Sequence, residues 1–178
     1  MKTKQYEDLL LQLQGLIAGE TNVTSVLANA SALIRSIMGE RFFWVGFYLV
    51  EGDQLVLGPF QGAIACYRIK RGKGVCGTAW EQCRSQVVPD VDQFPGHIAC
   101  CSLSRSEIVV PMIDSNGIVR AVLDIDSKEL NQFDDTDRHY LEQVAQLISK
   151  TLRSCKDCGE TEGRRHPSVK GDGRGERI

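Results

Sequence analysis

Apolar residues at Leu9, Leu10, Leu13, Leu16 and Ile17 recur at helical intervals, and Val26, Leu27, Ala30, Leu33, Ile34 and Ile37 repeat the spacing beyond Asn22 and Thr24, either of which can cap a helix. The chain therefore opens with two amphipathic helices. From Phe42 to Val50 aromatic and β-branched residues take over, Glu51-Gly-Asp53 breaks the run, and Gln54 to Leu57 resumes it, the pattern of a β-hairpin. Cys66 to Lys70 reads as a short strand, Arg71-Gly-Lys-Gly74 as a turn and Val75 to Gln82 as a short helix. A weak strand follows from Gln86 to Val91, then an irregular loop from Asp92 to Arg105 that carries Pro95 and Gly96. Glu107 to Ile113 and Ile118 to Ile125 flank Asp114-Ser-Asn-Gly117, and the Asn-Gly pair favours the positive φ values of a tight hairpin. Asp134 or Asp135 then caps a long helix with Tyr140, Leu141, Val144, Leu147 and Ile148 on one face.

Helices, five or six antiparallel strands and a closing helix make an α+β domain over residues 1–154, with helices at both ends of the chain flanking a central sheet. From about Cys155 glycine and charge dominate, and residues 155–178 are expected to form a disordered tail. The length of 178 residues, with 42% hydrophobic and 25% charged, fits one globular unit. A net charge of -2 with acidic and basic residues interspersed gives no basic face, so the expected partner is a small molecule or a protein and not a nucleic acid. No apolar run is long enough to span a bilayer and the first residues lack an apolar signal segment, which points to the cytoplasm. The seven cysteines then fit free thiols with transient oxidation better than a structural disulfide framework.

The stretch from His97 to Pro111 runs a polar loop containing Cys100 and Cys101 straight into a strand, and a loop cysteine near His97 and Arg105 has surroundings that favour thiolate. Adjacent cysteines pair only with strain, so any partner of Cys100 comes from elsewhere. Cys66 lies at a strand start, and Cys76 near a helix N-terminus, where thiolate is again favoured. Cys155-Lys-Asp-Cys158 has no second pair to complete a zinc site, and no metal is expected. In Phe43-Trp-Val-Gly-Phe-Tyr48 the period of two puts Trp44 and Tyr48 on one face and Phe43, Val45 and Phe47 on the other. Trp44 and Tyr48 either fill core or wall a ligand site. In Leu123-Asp-Ile-Asp126 the same period sends both carboxylates to one face, either a solvated face or a pair that needs a cation or a retained proton. Glu107, on the partner strand, can join them.

Seven segments in order, Trp44-Val-Gly-Phe-Tyr48, Gly58-Pro-Phe-Gln-Gly62, Gly72-Lys-Gly-Val-Cys-Gly77, Val88-Pro-Asp-Val91, Phe94-Pro-Gly-His-Ile-Ala-Cys100, Ser106-Glu-Ile-Val-Val-Pro111 and Leu123-Asp-Ile-Asp-Ser127, resemble the free methionine-R-sulfoxide reductases. These are GAF-fold enzymes, and the element order is similar to that fold. The resemblance implies reduction of free methionine-R-sulfoxide to methionine without an organic cofactor. It implies that Cys100 attacks, that Cys66 or Cys76 resolves, and that Trp44, Tyr48, Glu107, Asp124 and Asp126 line the substrate site. A thioredoxin-like dithiol would regenerate the enzyme, and the family often dimerises.

The chemistry asks for the same residue types. A sulfoxide sulfur is electrophilic when its oxygen is protonated, so the reaction needs an acid beside a thiolate. Attack leaves a sulfenic acid that condenses with a second thiol, and an external dithiol reopens the disulfide. Carboxylates facing the substrate ammonium would exclude peptide-bound substrate. One departure from the family pattern stands at Cys101, where an acidic residue usually follows the attacking cysteine. The alternative readings are a non-catalytic GAF module that binds a small ligand, and a peroxide-sensing thiol switch.

Overall fold

The computed structural model describes residues 2–152, so the segment containing Cys155 and Cys158, with the lack of order expected there, lies outside the described residues. Six strands form one antiparallel sheet: β1 (Trp44–Glu51), β2 (Gln54–Gln61), β3 (Arg68–Lys70), β4 (Gln86–Val88), β5 (Ser106–Ile113) and β6 (Val119–Ser127). Their spatial order is β3-β2-β1-β6-β5-β4, which makes β1 and β6 the central pair. The helices are α1 (Lys2–Leu16), α2 (Val23–Met38), α3 (Gly74–Gln82) and α4 (Asp135–Ser149). The side chains of α1, α2 and α4 share one core with Val45, Phe47, Ile108, Val110, Leu123 and Ile125. Those of α3 and the surrounding loops share a second core with Trp44, Tyr48, Val109 and Val122 on the opposite face. This is the α+β architecture that the hydrophobic pattern implies.

The period of two sorts the sheet as expected. Leu123 and Ile125 are wholly buried against the helices, each worth roughly 1.5–3 kcal/mol. A one-residue slip of β6 would put Asp124 and Asp126 into that apolar layer, so the burial of the helix face fixes the register that places the carboxyls on the other side. Asn22 caps α2, accepting from the Ser25 amide at 2.9 Å, and Asp134 caps α4 in a reciprocal capping box with Asp137.

Five local expectations are corrected. Strand β2 runs on past Leu57 through Gly58-Pro59 to Gln61, because β3 pairs only with Gln54–Val56 and the irregular register opposite Phe47 leaves room for a proline. Cys66 precedes β3 in a loop instead of starting it, and β4 stops at Val88 before Pro89, with Val91 opening a short 3-10 turn. Phe43 packs with Trp44 and not with Val45, because it lies before the strand, where the alternation does not yet hold. Leu16 is 44% exposed, at the edge of an α1 stripe that buries Tyr6, Leu9 and Leu13.

The two ends of the domain are clasped by a polar cluster under the first core. Asp137 of α4 is fully buried, accepts from the Tyr6 hydroxyl at 2.7 Å and pairs with Lys2 and with Arg41 at 3.5 Å. Tyr6 also stacks on Tyr140 with ring centroids 5.0 Å apart, and burial beside Asp137 pushes its phenol up. The neighbouring Asp134 carboxyl is held down to about 2 by Lys2 and by the amides of Asp137 and Thr136. Its folded value lies below the ordinary 3.8, so the stability it contributes is present above about pH 4 and is lost as the pH falls through about 2. Asp134→Asn should therefore flatten the difference in urea midpoint between pH 5 and pH 2 relative to the parent chain, in about that window. Equal slopes for the two proteins would remove the linkage.

Candidate active site

One cavity collects residues from β1, α3, β5, β6 and the loops before β3 and β5. Its aromatic wall is Trp44 and Tyr48, whose rings are stacked 6.2 Å apart, with Phe60 behind Trp44 at 5.4 Å. The indole lies flat over the backbone of Gly46 and Gly62. A Cβ on Gly46 would fall 2.3 Å from the Trp44 ring, and Gly62, at φ +138, would bring one within 2.5 Å of it. The indole N–H donates to the Ala63 carbonyl at 2.9 Å, and the Tyr48 hydroxyl donates to the Cys66 carbonyl at 3.1 Å. The wall thus also ties down the loop that carries Cys66.

Facing the aromatics are three carboxyl groups. Asp126 pairs in register with Glu107 and with Trp44, and Asp124 with Val109 and Gly46, so Glu107 and Asp124 are diagonal neighbours across β5 and β6. Of the Asp124–Asp126 pair, Asp124 is buried at 7% exposure and Asp126 is partly buried, and Glu107 beside them is buried at 6%, so this face is enclosed and not solvated. Burial pushes the Glu107 and Asp124 carboxyls well above the carboxylate range; Asp124 and Asp126 raise Glu107 further and Asp126 raises Asp124, while burial takes Asp126 to about 7 against a hydrogen bond from Ser104 that lowers it. Asp124 Oδ1 is buried with no hydrogen-bond partner. Among the described residues no lysine or arginine pairs with any of the three; their one ion-pair neighbour is His97, with Nε2 3.9 Å from Glu107 Oε2. Burial holds the His97 ring below its ordinary value, which favours the neutral imidazole.

Cys100 lines the same cavity and is joined to Cys66 in a disulfide across a sequence separation of 34. Cys76, the third sequence candidate, is free and buried in the cavity floor. Its position in the first turn of α3 was expected to favour thiolate. Burial and the neighbouring Asp124 and Glu107 push its thiol well up instead, outweighing the helix end. Cys101 lines the cavity beside Cys100, partly exposed and unpaired, whereas Arg105 is exposed and does not line it. His97 meets Glu107, so its partner is a carboxyl.

The arrangement joins a disulfide to an aromatic wall and an acid cluster. The sequence profile of the GAF domain matches residues 20–153. The free methionine-R-sulfoxide reductase of Escherichia coli is 48% identical over 85% of this chain and 90% of its own length. GAF domain-containing protein A of Dictyostelium discoideum is 54% identical over 83% of this chain and 92% of its own. The solved structure of the free methionine-R-sulfoxide reductase from Neisseria meningitidis, in complex with its substrate, superposes with a TM-score of 0.84 at 48% identity, covering 89% of this chain and 94% of that one. This chain belongs to the free methionine-R-sulfoxide reductase family.

Within this member of the reductase family seven of the eight residues singled out from the sequence line one cavity, and the eighth, Cys66, is bonded to Cys100 on that lining. Sequence reasoning missed Ser104 and the glycine slot under Trp44. Ser104 was hidden in a polar loop. The slot had a signal, since Gly46 interrupts an aromatic strand at the position between Trp44 and Tyr48 on the same face. Gly46→Ala should push the indole out of its place and destabilise the fold by about 1–3 kcal/mol, read as a lower urea midpoint. An unchanged midpoint would mean that the ring has room to move.

Proposed function

We propose that this chain reduces free L-methionine-R-sulfoxide to methionine, with Cys100 as the attacking thiol and Cys66 as the resolving one. The observation that carries the reading is the Cys66–Cys100 disulfide opening onto a cavity with Trp44 and Tyr48 on one side and Glu107, Asp124 and Asp126 on the other. A ligand-binding module needs no such pair, and a peroxide switch needs neither the aromatic wall nor the acids.

In this reading the substrate ammonium faces Asp124, whose Oδ1 is buried without a partner, and the S-methyl group lies against Trp44. Three carboxyls against one ammonium leave a surplus of negative charge in a buried site, so at least one of them keeps a proton at neutral pH. That proton goes to the sulfoxide oxygen. The Cys100 thiolate attacks the sulfur, the oxygen passes to Cys100 with the added proton, and methionine leaves, its sulfur reduced as the cysteine becomes a sulfenic acid. The Cys66 thiol displaces hydroxide from the sulfenic acid, forming the S–S bond and water. Cys76, with its thiol held protonated by burial, stays out of the exchange and supports Asp124. A dithiol carrier of the thioredoxin type then reduces the disulfide and is itself oxidised, so no organic cofactor is needed. A peptide-bound methionine sulfoxide has no ammonium to offer and leaves the acids unpaired, which selects the free amino acid.

The test is NADPH oxidation in a thioredoxin-coupled assay with the free R form, the S form and a blocked peptide analogue. Turnover is expected with the free R form alone and at background for Cys100→Ser, whereas Cys66→Ser should release one methionine per chain and then stop. No turnover with the carrier, and none with dithiothreitol, would overturn the reading. Asp124→Asn should lower kcat/KM by about 10- to 100-fold, the equivalent of roughly 1.5–3 kcal/mol for a lost hydrogen bond to a charge. A change below twofold would place the ammonium elsewhere.

A further inference from the structure

The floor of the cavity sets a thiol that the proposed reaction does not use beside two of the carboxyls. Cys76 Sγ, one oxygen of Glu107 and one of Asp124 all lie within 4.8 Å of one another, and all three residues are buried. They come from three elements, α3, β5 and β6, so the cluster is held by the packing of the helix on the sheet and not by a flexible loop. A zinc ion with ordinary Zn–S and Zn–O bonds keeps tetrahedral ligand atoms about 3.5 Å apart, so closing the set around an ion takes a contraction of at most about 1.3 Å between any two donors. Asp124 Oδ1, the atom given above to the substrate ammonium, is buried and without a hydrogen-bond partner, which suits a positive ligand of either kind.

We propose that Cys76, Glu107 and Asp124 form a site for a soft divalent cation, zinc being the best match, in the corner of the cavity that would otherwise receive the substrate amino group. The sulfur donor disfavours magnesium and calcium, which take oxygen ligands, and leaves zinc, cobalt and cadmium as candidates. His97, 3.9 Å from Glu107, or water supplies the fourth ligand. Because Cys66 and Cys100 are bonded to each other and Cys76 is free, the site is available while the redox pair is oxidised. The binding site stands on the geometry alone; its effect as an inhibitor competing with substrate rests on the reductase reading.

Cobalt(II) is the probe, added to the full chain with its redox pair oxidised and carrying Cys155→Ser and Cys158→Ser to remove tail thiols. One equivalent should give the near-ultraviolet thiolate-to-cobalt charge-transfer band with tetrahedral visible bands, and zinc should bleach both. In the same background Cys76→Ser should abolish the charge-transfer band, and the near-isosteric Asp124→Asn, checked by its melting curve, should weaken cobalt binding at least tenfold. A band that survives Cys76→Ser, an Asp124→Asn affinity equal to the parent's, or no uptake of cobalt overturns the site. Free methionine, which is redox-inert here, should compete with the ion; a Cys76-dependent band that methionine leaves untouched keeps the metal site and removes the ammonium assignment instead.

Discussion

Burying carboxyl groups without a cation is costly, and the rest of the cavity is arranged around that cost. Glu107 and Asp124 are buried, and Asp126 partly so, on a sheet whose other face must hold Leu123 and Ile125 in the helical core. The helices therefore fix the register, the register fixes the acids, and the acids must either keep protons or find a positive ligand. Both outcomes are useful for an oxygen-transfer reaction on an amino acid. Burial, together with those carboxyls, sets the state of Cys76, which a helix end alone would have made more acidic.

The aromatic side of the cavity depends on close backbone approach. Trp44 is held by the Ala63 carbonyl, by Phe60 and by a glycine floor, and Tyr48 reaches the Cys66 carbonyl. Wall and thiol loop are consequently one packed unit.

Much of this was legible in the amino-acid order because it follows short periods. Helical spacing located α1, α2 and α4, Asn116-Gly117 located the β5–β6 turn, and alternation put Asp124 and Asp126 on one face. The joint occurrence of seven short segments then pointed to the family. What stayed hidden depends on three-dimensional surroundings. Alternation cannot say whether a polar face is solvated or enclosed, since that depends on α3 and the loops that cover it. Nor can it place Phe43, which precedes the strand, or the continuation of β2 through Pro59, which is tolerated because β3 is too short to need that amide. Thiolate character at Cys76 was misjudged because the helix end is visible in sequence while the opposing carboxyls are not.

The Cys66–Cys100 bond also changes how long the molecule lasts. Closing a loop with a sequence separation of 34 restrains the unfolded chain by about 3–4 kcal/mol, so the cross-linked form is the harder one to unfold. In the proposed cycle the oxidised molecules are then the durable ones, and the reduced ones are the more easily lost to proteolysis. Under that cycle a shortage of reductant would leave the population in its most persistent form.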